Sequence, residues 1–307
     1  MRIVFFGTPE FAVPSLESLL QERYDIAAVV TQPDKPHGRS RSTLVAPPVK
    51  RVAERAGLPV LQPERPAGDV FLASLRRLDA DLGVVVAYGH ILRRELLTLS
   101  PRGMINVHAS LLPRFRGAAP IQHAILAGEP LTGVSIMRME EGLDSGPVLM
   151  QLHTPIGDDE TAGELSVRLA DLGAKALLTA LCHLEDGTAH AAPQDSSRAT
   201  YAPKVDRDAA RLDWSRQPAT LARQVRAFDP APGAWTIHRG APLKLFGPST
   251  AAEEGEPGMV LSAGDDLVVA ADGGALAVRE VQPAGKSRLP VADWVRGRGI
   301  LEGERLA

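Results

Sequence analysis

An α/β fold followed by a small β domain is what this chain predicts, on three observations. The first half alternates short apolar runs with helical patterns, a long amphipathic helix closes it, and the last third is a series of strand-like runs broken by Gly, Pro and Asp. Continuous apolar strands between helices imply an open, mostly parallel sheet with helices on both faces. Short broken runs imply a small antiparallel barrel.

The first strand is Ile3-Val4-Phe5-Phe6, leading into the turn Gly7-Thr8-Pro9-Glu10-Phe11. That turn joins strand to helix but lacks G-x-G-x-x-G, which weighs against a dinucleotide. Ile26-Ala27-Ala28-Val29-Val30, Leu82-Gly83-Val84-Val85-Val86, Ile105-Asn106-Val107-His108 and Val134-Ser135-Ile136-Met137 supply the further strands. Sheets of this kind bind ligands at the carboxyl ends of their strands, and Asn106 and His108 fall at such an end. The clearest helix spans 161–185. Thr161 and Glu164 have capping-box spacing, Leu165, Leu169, Leu172, Ala176, Leu177, Leu181 and Leu184 keep one apolar face, and Gly187 is the stop. A shift to Ser, Ala and polar residues follows. It sets the expected domains at 1–192 and 207–307, with 193–206 as linker. The strand-like runs of the second domain are 234–238, 242–246, 258–261, 267–270 and 276–281.

A composition of 44% hydrophobic and 23% charged residues is that of a soluble globular protein. The single cysteine, Cys182, makes no internal disulfide and reads as packing or incidental in the helical pattern. No Cys/His cluster has zinc spacing, Met1-Arg2-Ile3-Val4 runs straight into a strand, and no apolar run approaches the roughly 20 residues that cross a bilayer. The expectation is a cytoplasmic monomer without a metal. A formal net charge of -3 gives no global basic signature, so any polyanion must be met by local patches.

The chemistry gathers in Ile105-Asn106-Val107-His108-Ala109-Ser110-Leu111-Leu112-Pro113 and in Glu141-Gly142-Leu143-Asp144-Ser145-Gly146. A strand period of two puts Asn106 and His108 on one face. Asn donates to an oxyanion, His moves a proton near neutral pH, and Asp holds an imidazole in one tautomer. This set suits acyl transfer without a metal. It has no nucleophile of its own, since Cys182 lies far away in sequence and Ser110 lacks a glycine elbow, so the attacking group belongs to the substrate. Read alone, Asp144 before Ser-Gly is more readily a turn carboxylate bonding backbone amides.

With these segments in place the chain resembles the methionyl-tRNA formyltransferase family, within the folate-dependent formyltransferase superfamily, along nearly its whole length. The matching segments are 6–11, 31–36, 85–89, 105–113 continuing through Arg114-Phe115-Arg116-Gly117-Ala118-Ala119-Pro120-Ile121, 142–146 and Gln282-Pro283-Ala284-Gly285-Lys286. The resemblance implies a Rossmann-like first domain, an OB-like C-terminal β-barrel, 10-formyltetrahydrofolate as co-substrate and initiator methionyl-tRNA as acceptor. It makes Asn106, His108 and Asp144 catalytic, with Asn106 and protonated His108 facing the oxyanion. It puts Val86, Ala87, Tyr88, Gly142, Ser110, Leu111, Leu112 and Pro113 around the folate, Tyr88 as rim or as pterin contact. The stretch 34–51 becomes an extended basic loop for the acceptor stem, with Lys35, Arg39, Arg41 and Lys50 as tRNA contacts. Arg223, Arg226, Lys286, Arg288, Arg296 and Arg298 form a phosphate strip in the second domain, Arg223 and Lys286 foremost.

Two departures from the family pattern stand out. Ser40-Arg41-Ser42-Thr43 replaces a glycine followed by lysines, and Asp229 and Ala231 stand where the family motif carries Asn and Trp. Two rival functions share parts of this pattern. A formyltransferase for a small amine, such as an amino-sugar nucleotide, would keep the trio without needing the basic loop, and a catalytically inactive RNA-binding protein would need no intact trio.

Overall fold

The computed structural model describes residues 1–37 and 43–307. Its first compact unit comprises Met1–Gly117, Leu131–Pro155 and Ser166–Ala202, and its second Ala118–Pro130, Ile156–Leu165 and Pro203–Ala307. Residues 118–130 and 156–165 therefore belong to the second unit. The stretch 193–202, read from sequence as linker, belongs to the first.

Nine strands lie in the first unit: β1 (Arg2–Gly7), β2 (Asp25–Val30), β3 (Lys35–His37), β4 (Thr43–Val45), β5 (Val60–Leu61), β6 (Leu82–Val86), β7 (Met104–His108), β8 (Leu131–Arg138) and β9 (Val148–Pro155). Along the chain run helices α1 (Val13–Gln21), α2 (Pro48–Arg55), α3 (Asp69–Arg76), α4 (Arg94–Leu97), α5 (Pro120–Leu126) and α6 (Ala162–Glu185). Seven strands form one sheet in the order β5-β2-β1-β6-β7-β8-β9. The first five in that order are parallel, whereas β8 is antiparallel to β7 and β9 to β8. The run at 134–137 thus extends the sheet in the reverse direction, paired with a β9 whose half-buried residues gave no continuous apolar signal.

Both faces of the sheet are covered, which is why every residue of β6 is buried and apolar or glycine. Met104, Val85 and Phe6 pack with Leu72 and Leu75 of α3 and Leu96 and Leu97 of α4. On the opposite face a Cβ added to Gly173 of α6 would stand 2.9 Å from Val107 Cγ1, so this glycine lets the helix lie close on β7. The start of α6 is the predicted capping box: Glu164 N donates to Thr161 Oγ1 at 3.2 Å and Thr161 N donates to Glu164 Oε2 at 2.9 Å.

The expected extended loop at 34–51 includes regular structure among its described residues. Lys35–His37 and Thr43–Val45 pair as antiparallel strands, and α2 begins at Pro48, whose ring suits a first helical position, with Val49, Val52 and Ala53 buried. Arg39 and Arg41 lie outside the described residues.

The second unit holds α5, α7 (Pro218–Ala227), α8 (Val291–Arg296) and strands β10 (Trp235–His238), β11 (Ala241–Ala251), β12 (Val260–Ala263), β13 (Leu267–Ala271), β14 (Gly274–Pro283) and β15 (Leu289–Pro290). They make one six-stranded antiparallel sheet in the order β10-β11-β14-β13-β12, with β15 added to β14. Helix α7 packs on β11 and β14, burying Leu221 and Val225.

Candidate active site

Asn106 and His108 share the face of β7 that carries Met104, at the carboxyl end of the strand. Asn106 is half-buried, and its amide makes no side-chain hydrogen bond among the described residues. His108 is 6% exposed. Its Nε2 lies 2.9 Å from the Phe115 carbonyl, which only accepts, so Nε2 carries a hydrogen. Its Nδ1 lies 3.7 Å from Asp144 Oδ2, an ion-pair distance too long for a hydrogen bond. Both ring nitrogens face oxygens. A protonated ring would turn an N–H toward each, bonding the Phe115 carbonyl and facing Asp144 across a gap.

Asp144 reaches this place by an indirect route. Because β8 runs against β7, its chain leaves the sheet beside Met104, where Met139 N donates to Met104 O at 2.9 Å. The loop must come back along the strand before Asp144 can meet His108. Asp144 sits at φ 46, a left-handed conformation that Asp tolerates better than most residues. Its Oδ2 accepts from Gly117 N at 2.8 Å. The carboxylate does bond a backbone amide, but one 27 residues away and not in its own turn.

The segment 114–117 is fixed from the stretch that sequence reading took for linker. Arg116 N donates to Thr200 O and Ala202 N to Arg116 O, both at 2.8 Å. Gly117 has φ +122, and a Cβ there would stand 2.7 Å from Ala202 O, so glycine is required on both counts. Gln194 Nε2 donates to Asp144 O at 2.9 Å and to Gly146 O at 2.7 Å, while its Oε1 accepts from buried Arg116, from Nη2 at 2.8 Å and Nε at 3.1 Å. Sequence reasoning missed Gln194 and gave Arg116 no role. A polar residue within a Pro, Ala and Ser stretch offers no periodicity to single it out.

The remaining candidates divide. Ser110 is fully buried and its Oγ donates to Arg114 O at 2.6 Å, so its hydroxyl builds the loop. Leu112 is buried, with its N–H donating to Ser135 Oγ and its carbonyl accepting from Gln151. Leu111 and Pro113 are half-buried. Val86 is buried at the end of β6, whereas the next residue, Ala87, is exposed at φ 47, and Gly142 is exposed. Tyr88 departs from expectation. Its ring is 2% exposed, packs edge-on to Phe6 at 5.6 Å and belongs to the core, so the side chain is not on a rim. Its hydroxyl has no partner among the described residues, and burial pushes its pKa up to about 12.

Among the basic residues, exposed Lys35 donates to Gln32 Oε1 at 2.7 Å. Lys50 pairs with Asp34 at 2.8 Å, and Gln62 and Lys50 hold the Asp34 carboxyl below its usual range. Arg223 Nη2 lies 3.3 Å from Thr220 Oγ1, and its Nε is buried without a partner among the described residues. Arg226 donates to the carbonyls of Gly157 and Glu160. The expected strip is not a row of free charges. Arg288 pairs with Asp229 at 2.9 Å and with Glu280 while lying 4.0 Å above the Phe246 ring, and Arg296 pairs with Asp293. Lys286 is exposed in a turn. Among the described residues no group of three His, Cys, Asp or Glu side chains could hold a metal ion, and no helix is long and apolar enough to cross a membrane.

Comparison with known proteins adds to this geometry. The family model described as formyl transferase matches residues 1–181, and that described as formyl transferase, C-terminal domain, matches 204–299. The methionyl-tRNA formyltransferase of Acetivibrio thermocellus is 45% identical over 100% of this chain and 99% of its own. That of Symbiobacterium thermophilum is 48% identical over 100% and 95%. Among solved structures, the N-formyltransferase from Helicobacter canadensis, in complex with folinic acid and dTDP-3-aminofucose, superposes with TM-score 0.70 at 17% identity, covering 92% of this chain and 98% of that one. HypX from Aquifex aeolicus, in complex with tetrahydrofolic acid, gives 0.68 at 21% identity over 96% of this chain and 47% of that one. These two likenesses concern the fold.

Proposed function

The chain belongs to the formyl transferase family, and from that premise we propose that it moves the formyl group of 10-formyltetrahydrofolate onto the free α-amine of initiator methionyl-tRNA. The observation that carries this reading is the open Asn106 amide beside the His108–Asp144 pair, in a chain matched end to end by methionyl-tRNA formyltransferases.

The chemistry asks little of the protein beyond placement and charge. A free α-amine titrates near pH 7.7 to 8.0, so a neutral, nucleophilic fraction exists at pH 7. Its nitrogen bonds to the formyl carbon, the bond from that carbon to the folate nitrogen breaks with its electron pair going to that nitrogen, and the proton the amine gives up balances the one the departing folate nitrogen takes. Asn106 and His108 donate to the oxygen that becomes negative in between. Asp144 holds the His108 ring and assists proton removal through a water. The donor fits the chain ends next to this pair: Ala87, exposed in a left-handed turn, offers backbone groups at the end of β6, and Gly142, Leu111 and Pro113 have accessible surface. Lys35, Arg39, Arg41, Arg223 and Lys286 would meet tRNA phosphates, and Lys50 would do so only by leaving Asp34. The enzyme would act as a cytoplasmic monomer, with no metal.

Formyl transfer measured with charged initiator tRNA, uncharged tRNA and free methionine tests the reading. Product is expected from charged tRNA alone. Transfer to an amino-sugar nucleotide in preference to methionyl-tRNA would replace it with the small-amine reading, and absence of transfer to any amine would leave an RNA-binding protein.

A further inference from the structure

The His108–Asp144 pair is assembled from three segments distant in sequence, and its geometry depends on what ties them. His108 Nε2 is held by the carbonyl of Phe115, and Asp144 Oδ2 by the N–H of Gly117. Arg116 stands between those two residues. Its guanidinium is buried, with no carboxylate within ion-pair distance among the described residues, and it donates to Gln194 Oε1. The same Gln194 donates through Nε2 to the carbonyls of Asp144 and Gly146. Four links thus close a ring: Asp144 carboxylate to Gly117 amide, along the chain to Arg116, across to Gln194, and back to the Asp144 carbonyl.

The amide orientation is forced. Nε2 meets two carbonyls, which cannot donate, and Oε1 meets a guanidinium, which cannot accept. Only a neutral carboxamide satisfies both sides. A carboxylate would keep Arg116 but set negative oxygen against two carbonyls, and a methyl group would keep neither.

We infer that Gln194 is a positioning residue for formyl transfer: through Arg116 and the Asp144–Gly146 turn it sets the distance between His108 and Asp144. This rests on the formyltransferase reading above. Gln194 touches no reacting atom, so its loss acts on turnover and spares binding. A displacement of about 1 Å at a reacting group costs on the order of 100-fold in rate.

The test compares wild type, Gln194→Ala and Gln194→Glu in the full chain. Circular dichroism and melting temperature establish that each is folded. Formylation kinetics give kcat and the KM for each substrate, and proton NMR follows the His108 Nε2–H, assigned with His108→Gln. Both variants should lose roughly 10- to 100-fold in kcat with each KM within about threefold, the pattern of an interaction realised in the transition state. Their Nε2–H signal should broaden or exchange faster than in wild type as the Phe115 carbonyl loosens. If the alanine variant does not fold, the near-isosteric glutamate variant decides. A folded variant with kcat within about twofold of wild type overturns the inference, as does an unchanged Nε2–H signal. Failure of wild type itself to formylate methionyl-tRNA would defeat the functional reading instead, and the NMR comparison would still decide whether Gln194 holds the pair.

Discussion

At His108 the two ring nitrogens are treated unequally: Nε2 is bonded to a carbonyl at 2.9 Å, while Nδ1 looks across 3.7 Å to a carboxylate that already has a backbone donor. That gap is where an approaching group can be accepted without first breaking a bond, and the unpartnered Asn106 amide is on the same strand face. Replacing Asn106, His108 or Asp144 by Ala should each lower formyl transfer by at least about 100-fold, the scale of losing an oxyanion donor or a general acid/base. Binding of tRNA, measured by filter retention or anisotropy, should stay nearly unchanged. Near-normal turnover in His108→Ala would falsify the assignment. These three residues were singled out from sequence because each sits in a distinctive local string, and the structure brings His108 and Asp144 within 3.7 Å. What surrounds them was not singled out. Gln194 and Arg116 matter through hydrogen bonds spanning 78 and 50 residues, and no local pattern records such a partnership. Ser110 carries a task its string did not reveal: its hydroxyl closes a loop onto Arg114.

Elements with a strong period were the most legible. Helix α6 follows its apolar repeat from cap to stop, and the capping box is present atom for atom. Thr161→Ala should cost about 1 kcal/mol, measured by denaturant titration at pH 7. The Glu164 carboxyl, held below its usual range by hydrogen bonds from the Thr161 backbone and hydroxyl, adds a pH signature. A depressed carboxylate contributes stability that is present above its unfolded value and lost as pH falls through the folded one. The difference between wild type and Thr161→Ala should therefore shrink below the ordinary carboxylate range; a gap unchanged at pH 2.5 would remove Glu164 from the account. Strands β5 and β9 were not legible, one being two residues long and the other an edge strand without clean alternation. The direction of β8 was hidden for a simpler reason. An apolar run looks the same whichever way it enters a sheet.

At the scale of the whole molecule, several of the basic groups named from sequence are already engaged among the described residues. Lys50, Arg288 and Arg296 pair with acids of their own unit, and the Asp229 that departs from the family pattern supplies one of those partners. Phosphate binding should then rest on fewer contacts than the count of Lys and Arg suggests. Arg39→Ala should reduce formylation of methionyl-tRNA more than Arg41→Ala, and each should flatten the log-log salt dependence of tRNA binding by about one unit if it meets one phosphate. A double variant with wild-type turnover and an unchanged slope would sink the loop assignment. The brace formed by residues 194–202 has a consequence of another kind. The two matched family regions end at residue 181 and resume at 204, so the residues that brace the loops beside His108 and Asp144 lie in the interval that neither covers. Modular exchange between relatives, cut where one recognised region stops, would carry the trio into a new protein and leave behind the strap that keeps it aligned. A working hybrid has to treat that interval as cargo of the first domain.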